Sequence, residues 1–181
     1  TIYEAVICMF LVKIYKIGSE LFTSQGWRAV DLVESFEGKV FLDLKLHDIP
    51  TTVAKTCRVI AQRGIFMFNL HTRGGLEMMR EARRAVDEAS REGKKPLLVG
   101  VTVLTSLEEK NLSQELGITR PLQEEVLALS RLAKKAGLDG VVCSPKETSL
   151  LRKELGAGFI LVTPGVRPPG RESHAQRRSR T

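Results

Sequence analysis

Short apolar runs alternate along the chain with longer segments in which apolar residues recur every three or four positions. The runs have the length and the partly β-branched composition of buried strands. They cover residues 12–17, 39–45, 66–71, 97–103, 140–143 and 159–163. The periodic segments predict helices over about 52–63, 75–92, 121–137 and 146–155. The regular alternation of strand and helix predicts an α/β protein with a parallel sheet and right-handed crossovers.

A parallel sheet of this kind either closes as a barrel or stays open and doubly wound. Neither G-x-G-x-x-G nor G-x-x-x-x-G-K-[ST] follows the first strand, so the phosphate loops of open nucleotide-binding folds are absent. Polar residues follow the carboxyl ends of several strands, where barrel enzymes build their sites: Lys16, Asp43, Lys45, His71, Thr105, Ser106, Ser144 and Thr163. We therefore predict a TIM-type (β/α)8 barrel. It is incomplete, with about six of the eight strands present, because a full barrel needs roughly 250 residues.

Composition and charge fit a single globular domain, here one partial barrel over residues 1–181. The chain of 181 residues is 43% hydrophobic and 27% charged, with a net charge of +7. The last twelve residues hold four arginines against Glu172, or +3, which leaves +4 on residues 1–169. This small excess of positive charge, without interleaved basic and aromatic residues, argues against a nucleic-acid partner. It fits an anionic small ligand.

Cysteine usage and hydropathy point to the cytoplasm. The three cysteines are far apart and lack metal-ligand spacing, which is typical of reduced thiols in a cytosolic protein. The apolar stretch over 5–12 is followed by Lys13 and Lys16, so it is too short for a membrane span or a signal peptide. Thr1 leads straight into this stretch without an initiator Met, so we expect the chain to begin inside a fold.

The segment around Asp43 carries the most distinctive chemistry. Because side chains of a strand alternate between two faces, Phe41, Asp43 and Lys45 share one face of the second strand. Burying both charges is costly unless they are paired, so the pair is either a site or a buried salt bridge. Asp48 follows just past the strand, and Lys16 at the end of the first strand adds a second cation.

Two histidines look catalytic when each is taken alone. His47 and His71 have no accompanying carboxylate–histidine–nucleophile set, so we interpret both as structural or supporting residues. The sequence also contains no visible metal-ligand cluster, and we expect no metal.

Six blocks of the chain carry distinctive motifs: YKIGSELFTSQG at 15–26, FLDLKLHDIPTTVA at 41–54, NLHTRGG at 69–75, VTVLTS at 101–106, GLDGVVCS at 137–144 and VTPGVRP at 162–168. Together, and in this order, they resemble the orotidine 5'-phosphate decarboxylase family. The motif D-x-K-x-x-D over 43–48 is shared with phosphosugar decarboxylases and aldolases, whereas the H-D-I-P-T-T continuation and the T-P-G block point to the orotidylate branch. Their number and order make the resemblance specific.

The resemblance implies decarboxylation of orotidine 5'-phosphate to uridine 5'-phosphate in pyrimidine biosynthesis, without a cofactor. It implies a catalytic array of Lys16, Asp43, Lys45 and Asp48, in which Asp48 enters the site of the other subunit of a homodimer. Lys45 is then the proton donor, Asp43 orients it and crowds the departing carboxylate, and Lys16 also reaches the ribose. The expected partners are the nucleotide and a second subunit, with no membrane and no nucleic acid.

The same resemblance implies a set of substrate-binding residues. Ser106 resembles the serine that hydrogen-bonds the pyrimidine, and the alternative is a serine that caps the next turn. Thr52, close to Ile49 in the same motif, resembles the residue that reaches the partner's ribose, and the alternative is a helix N-cap. Pro164 and the loop after it are expected to close over the base.

The basic tail over 165–181 resembles the family's phosphate loop. Gln176 is the expected phosphate contact, and Ala175 stands where the family usually has Asp. The family's first strand and its last strand with the phosphate-clamping Gly-Arg are absent, so we expect a chain truncated at both ends and impaired by itself. Two alternatives stay open: a catalytically dead barrel fragment that only associates with a partner subunit, and a related phosphosugar decarboxylase or aldolase.

Overall fold

A computed structural model describes residues 13–90 and 95–166 of the protein. Six strands form one parallel sheet in which the spatial order follows the chain order. The strands are β1 (Ile14–Gly18), β2 (Lys39–Leu46), β3 (Met67–His71), β4 (Leu97–Val101), β5 (Gly140–Val142) and β6 (Ile160–Val162). Each predicted strand is confirmed, with its ends within two residues of the predicted ones.

The helices of these residues lie between the strands. They are α1 (Ser19–Gln25), α2 (Trp27–Ser35), α3 (Pro50–Gln62), α4 (Gly75–Ala89), α5 (Glu109–Gln114), α6 (Leu122–Lys135) and α7 (Thr148–Leu155), with 3₁₀ turns at Thr72–Gly74 and Pro145–Glu147. The four predicted helices correspond to α3, α4, α6 and α7. No range was predicted for α1, α2 and α5, which are short helices with few buried residues: none in α1, Ala29 and Val30 in α2, and Leu112 in α5.

The two faces of the sheet bury different sets of side chains because strand residues alternate in direction. The outer face packs against the helices in the main core, as Leu42, Phe68 and Leu98 do. The inner face forms a smaller cluster of Phe41, Met67 and Val99. This curled half-barrel of parallel strands confirms the α/β fold class and its TIM-type architecture. Among the described helices, none is long and apolar enough to cross a bilayer.

Candidate active site

A cavity of about 590 Å³ opens at the carboxyl ends of the strands. Its walls combine apolar side chains of the inner face with a small number of polar groups, as is typical of small-molecule sites. The polar lining residues are Lys16, Asp43, Lys45, Asn69, Thr105 and Thr163, and the apolar ones include Phe41, Val101, Val142, Val162 and Pro164. The predicted location of the site, at the carboxyl end of the barrel, therefore coincides with a cavity of nucleotide size.

The Asp43 carboxylate is the centre of the polar wall. Its Oδ1 accepts hydrogen bonds from Lys45 Nζ at 2.7 Å and from Asn69 Nδ2 at 2.6 Å, and its Oδ2 accepts one from Lys16 Nζ at 3.0 Å. The Asp43 side chain is only 12% exposed, against 35% for Lys45 and 56% for Lys16. Three donors therefore satisfy a buried carboxylate, while both ammonium groups remain in contact with the cavity.

The donors around Asp43 keep it ionised. Burial by itself raises the pKa of this carboxyl, since a charged group loses solvation. The hydrogen bond from Lys45 lowers the pKa, and so do those from Asn69 and Lys16 and the positive charge of Lys45. The net pKa of Asp43 lies below its ordinary value of 3.8, so the group is an anion at neutral pH.

Strand β2 is irregular where the site begins. Its register against β3 pairs Leu42 with Phe68 and then Leu46 with Leu70, so three residues of β2 face Asn69 alone. Within this bulge Lys45 adopts a φ of +55°, in the left-handed region that residues other than glycine rarely occupy. The predicted shared face is confirmed, since Phe41, Asp43 and Lys45 all line the cavity, but a bulge rather than a regular strand presents Lys45.

Asn69 is a site residue for which no role was predicted. It lies in β3, is 1% exposed, and contacts both Asp43 and the backbone N–H of Lys45. The available signal was an asparagine inside an apolar strand, because Asn is depleted in strands and a buried amide requires partners.

Asp48, Ile49 and Thr52 lie on the exposed loop after β2 and on the first turn of α3. Asp48 Oδ1 accepts a hydrogen bond from the N–H of Ile49 at 2.6 Å. None of the three lines the cavity of its own chain. Helix α3 starts at Pro50 with Ile49 as its N-cap, so Thr52 does not have the capping role considered as its alternative.

The other predicted substrate contacts divide between the cavity and positions outside it. Pro164 lines the cavity, whereas Ser106 is exposed and its neighbour Thr105 is the lining residue. The next helix has Glu108 as its N-cap, and the alternative that Ser106 caps the turn after the strand stays a prediction. Gln176 lies outside the described residues.

The two histidines pack against each other beside the site. The rings of His47 and His71 lie 5.4 Å apart, and neither residue lines the cavity. Burial lowers the pKa of His71 below its ordinary 6.5, and the nearby His47, Lys45 and Arg73 lower it further. At neutral pH His71 is therefore an uncharged neighbour of the site.

Some predicted polar positions have local structural roles. Ser144 caps the 3₁₀ turn after β5, where its hydroxyl accepts from the N–H of Lys146 and Glu147 accepts from the N–H of Ser144. Within residues 13–90 and 95–166, no group of three or more His, Cys, Asp or Glu residues is arranged to hold a metal ion.

Comparison with known proteins relates this geometry to a family. Residues 8–181 match the orotidine 5'-phosphate decarboxylase / HUMPS family. The orotidine 5'-phosphate decarboxylase of Actinobacillus succinogenes is 49% identical over 166 residues, which cover 92% of this chain and 70% of that protein. The protein of the same name from Pseudoalteromonas translucida is 50% identical over 166 residues, with the same coverage of 92% and 70%.

Solved structures are similar to the chain in fold as well. Orotidine 5'-phosphate decarboxylase from Lactobacillus acidophilus superimposes with a TM-score of 0.80 at 36% identity, covering 91% of this chain and 77% of that one. An uncharacterized conserved protein from Geobacillus kaustophilus has a TM-score of 0.80 at 41% identity, covering 84% and 72% of the two chains.

Proposed function

Because the chain belongs to the orotidine 5'-phosphate decarboxylase / HUMPS family, we propose that it is a carbon–carbon lyase of pyrimidine biosynthesis. It converts orotidine 5'-phosphate to uridine 5'-phosphate and carbon dioxide. The observation that carries the proposal is the ionised Asp43 held between the ammonium groups of Lys16 and Lys45 at the wall of a nucleotide-sized cavity.

The reaction requires fixed charge next to the reacting carbon. Loss of carbon dioxide leaves an electron pair in the plane of the pyrimidine ring, where no extended enolate delocalises it. Preorganised charge and prompt protonation therefore have to stabilise the transition state. Lys45 is the proton donor, since its ammonium group contacts the cavity and is oriented by Asp43 at 2.7 Å.

Asp43 serves this step in two ways. As an anion it keeps Lys45 oriented, and it crowds the carboxylate of the substrate in the ground state. Lys16 balances the second oxygen of Asp43 and reaches toward the ribose hydroxyls from the exposed side of the cavity. The proton that Lys45 delivers replaces carbon dioxide on the ring carbon. The charge array requires neither a metal nor an organic cofactor for this step.

We assign Asp48 to the site of a second subunit in a homodimer. Two observations support this assignment: Asp48 does not line the cavity of its own chain, and the adjoining Ile49 is an apolar side chain that is 64% exposed. Thr52, in the first turn of α3, reaches the partner's ribose from the same surface. The shared site makes the dimer obligatory for catalysis.

The pyrimidine and the phosphate occupy opposite ends of the cavity. Pro164, which lines the cavity, closes over the base, and Ser106 is assigned as its hydrogen-bond partner. Among the described lining residues the only cations are Lys16 and Lys45, and both are already paired with Asp43. The phosphate therefore needs other partners, and Gln176 in the tail over 165–181 is the assigned contact.

We expect residues 1–181 by themselves to hold the phosphate weakly, because both cations of the described lining, Lys16 and Lys45, are paired with Asp43 and only the tail over 165–181 is left to bind it. The test compares kcat/KM and uridine 5'-phosphate affinity with those of a chimera. The chimera carries, outside the matched region, the remaining sequence of the Actinobacillus succinogenes relative. Equal values would contradict the expectation. Substitutions below are measured in the more active of the two forms.

The proposal is tested by replacing the proton donor. Lys45→Ala should reduce decarboxylation of orotidine 5'-phosphate by at least about 100-fold, the lower end of the usual contribution of general acid catalysis. Lys39→Ala is the matched control, since Lys39 begins the same strand and contacts the Phe66 ring far from Asp43. Activity of Lys45→Ala within tenfold of the unmodified protein would remove Lys45 from this role.

The same assay separates the alternatives. Turnover of 3-keto-gulonate 6-phosphate without turnover of orotidine 5'-phosphate would assign the chain to a sister phosphosugar enzyme. Turnover of neither substrate by the chimera, with the chain still binding a full-length relative, would favour a catalytically dead fragment.

A further inference from the structure

We propose that Asn69 is a positioning residue that fixes both the Asp43 carboxylate and the backbone of Lys45. The catalytic consequence of this inference rests on the proposed decarboxylase function. The geometric part does not, because it concerns contacts within the protein itself.

The Asn69 side chain makes two contacts at once. Its Nδ2 donates to Asp43 Oδ1 at 2.6 Å, and its Oδ1 accepts from the backbone N–H of Lys45 at 2.7 Å. A carboxylate only accepts and a backbone N–H only donates, so one orientation of the amide satisfies both partners. Asn69 is 1% exposed, so water does not replace either bond easily.

The position of Asn69 in the sheet explains why these contacts matter. It is the single β3 residue opposite the three-residue bulge of β2. The bulge holds Lys45 at a φ of +55°, a conformation that persists in a non-glycine residue only when its surroundings stabilise it. The Asn69 amide bonds the N–H of that residue, and it therefore stabilises the backbone conformation from which the Lys45 side chain reaches Asp43 Oδ1.

The same amide couples the proton donor to its orienting group. Lys45 Nζ and Asn69 Nδ2 share Asp43 Oδ1 as their acceptor. Loss of the Asn69 donor frees the carboxylate to rotate, and loss of its acceptor frees the Lys45 backbone. Both changes move the ammonium group relative to the reacting carbon, and a displacement of about 1 Å costs on the order of 100-fold in rate.

The first test is Asn69→Leu, which keeps a similar volume but removes the donor and the acceptor. We expect kcat to fall about 100-fold while KM changes by less than about threefold, since the lost interaction acts on the chemical step. The matched control is Thr72→Val, because Thr72 is fully buried near the same strand end and donates to the Val101 carbonyl, away from Asp43. A kcat loss no larger than that of Thr72→Val would overturn the inference.

The second test measures the pH dependence of activity in Asn69→Asp. It applies also if Asn69→Leu does not fold. In Asn69→Asp, two carboxyls lie side by side, so one of them has a raised pKa. While that proton is bound, the new side chain donates to Asp43 and accepts from the Lys45 N–H, as Asn69 does. We expect the activity of this variant to decline at lower pH on the alkaline side than that of the unmodified protein. If the activity of the variant falls on the alkaline side at the same pH as that of the unmodified protein, the inference is overturned.

A third measurement separates this inference from the proposed function. Hydrogen exchange of the Lys45 amide is followed by NMR in protein labelled with ¹⁵N-lysine, with the Thr72→Val variant as reference. The Lys45 amide should exchange at least about tenfold faster than in Thr72→Val in two cases. These are Asn69→Leu, and Asn69→Asp at a pH above the raised pKa of its carboxyl pair. If the unmodified protein does not decarboxylate orotidine 5'-phosphate, the proposed function fails, and this exchange rate alone decides the role of Asn69. Unchanged exchange would overturn it.

Discussion

Lys45 Nζ lies 2.7 Å from Asp43 Oδ1, two residues earlier on the same strand. In a regular strand, side chains at this spacing point in the same direction side by side. The bulge at Lys45 instead turns its backbone while keeping its ammonium group on the carboxylate. The contact thus joins two charges on one face of the strand, and the Lys45 side chain makes it from a left-handed backbone.

Removing the charge of Asp43 should therefore disable the site more than it changes the fold. We expect Asp43→Asn to lower kcat by at least about 100-fold, comparable to loss of one preorganised electrostatic partner. Asp31→Asn is the control, since Asp31 is an exposed carboxylate paired with Arg63 on the protein surface. Steady-state kinetics with orotidine 5'-phosphate measure both variants, and a loss below tenfold in Asp43→Asn would contradict the assigned role.

Asp43 should also give the protein a specific acid dependence of stability. Its pKa in the folded state is below the ordinary 3.8, so ionised Asp43 contributes stability that is present above pH 3.8 and lost as pH falls through the lower folded value. The difference in the free energy of unfolding between the unmodified protein and Asp43→Asn should shrink as the pH is lowered from 6 toward 3. Urea unfolding at several pH values measures it. A constant difference would show that Asp43 is not stabilised as an anion.

A shared active site predicts complementation between two inactive subunits. Asp48→Asn and Lys45→Ala each lack one member of the array, but a mixed dimer contains one site with neither lesion. After subunit exchange in equal amounts, about one quarter of the sites should be intact, because half of the dimers are mixed and each has one good site. Kinetic assay of the mixture measures the recovery. Subunits that exchange and stay inactive would contradict the shared site.

His71 should titrate below its ordinary range and make the protein less stable in mild acid. Burial lowers its folded pKa below 6.5, so the unfolded chain takes up a proton first as the pH falls. Stability from neutral His71 is therefore complete above pH 6.5 and declines below it. NMR of the ring C–H signals gives the pKa, and His71→Gln should flatten the pH dependence of the free energy of unfolding between pH 7 and 5. A midpoint at or above 6.5 would contradict this expectation.

Gly140 should be intolerant of any side chain. A Cβ at this position would lie 2.2 Å from the carbonyl oxygen of Ile160 on the paired strand. Because backbone cannot move aside as a side chain does, we expect Gly140→Ala to lower the free energy of unfolding by about 1–3 kcal/mol. Gly158→Ala is the matched control, since a Cβ there meets nothing within 4 Å. Urea unfolding should show a change within about 0.5 kcal/mol for the control, and equal effects of the two variants would contradict the clash.

The sequence by itself determined the alternation of elements and the face that carries the charges. Period-two patterning of β2 placed Asp43 and Lys45 with Phe41 on the inner face, and the structure confirms this. These features follow from the sequence because each strand or long helix shows its buried face in its own residues. Helices α1 and α5 show no such buried face in their sequences, since their short segments bury few side chains.

Only the tertiary structure decided how the charges meet. Asn69 contacts Lys45 and Asp43 across 24 and 26 residues of chain, and this contact depends on the register between β2 and β3. Local patterning does not specify register at a bulge, because one inserted residue changes which partners face each other. The left-handed backbone of Lys45 has no sequence signal either, since lysine rarely adopts it. Residue types and faces are local properties of the chain, whereas hydrogen bonds between strands belong to the folded sheet.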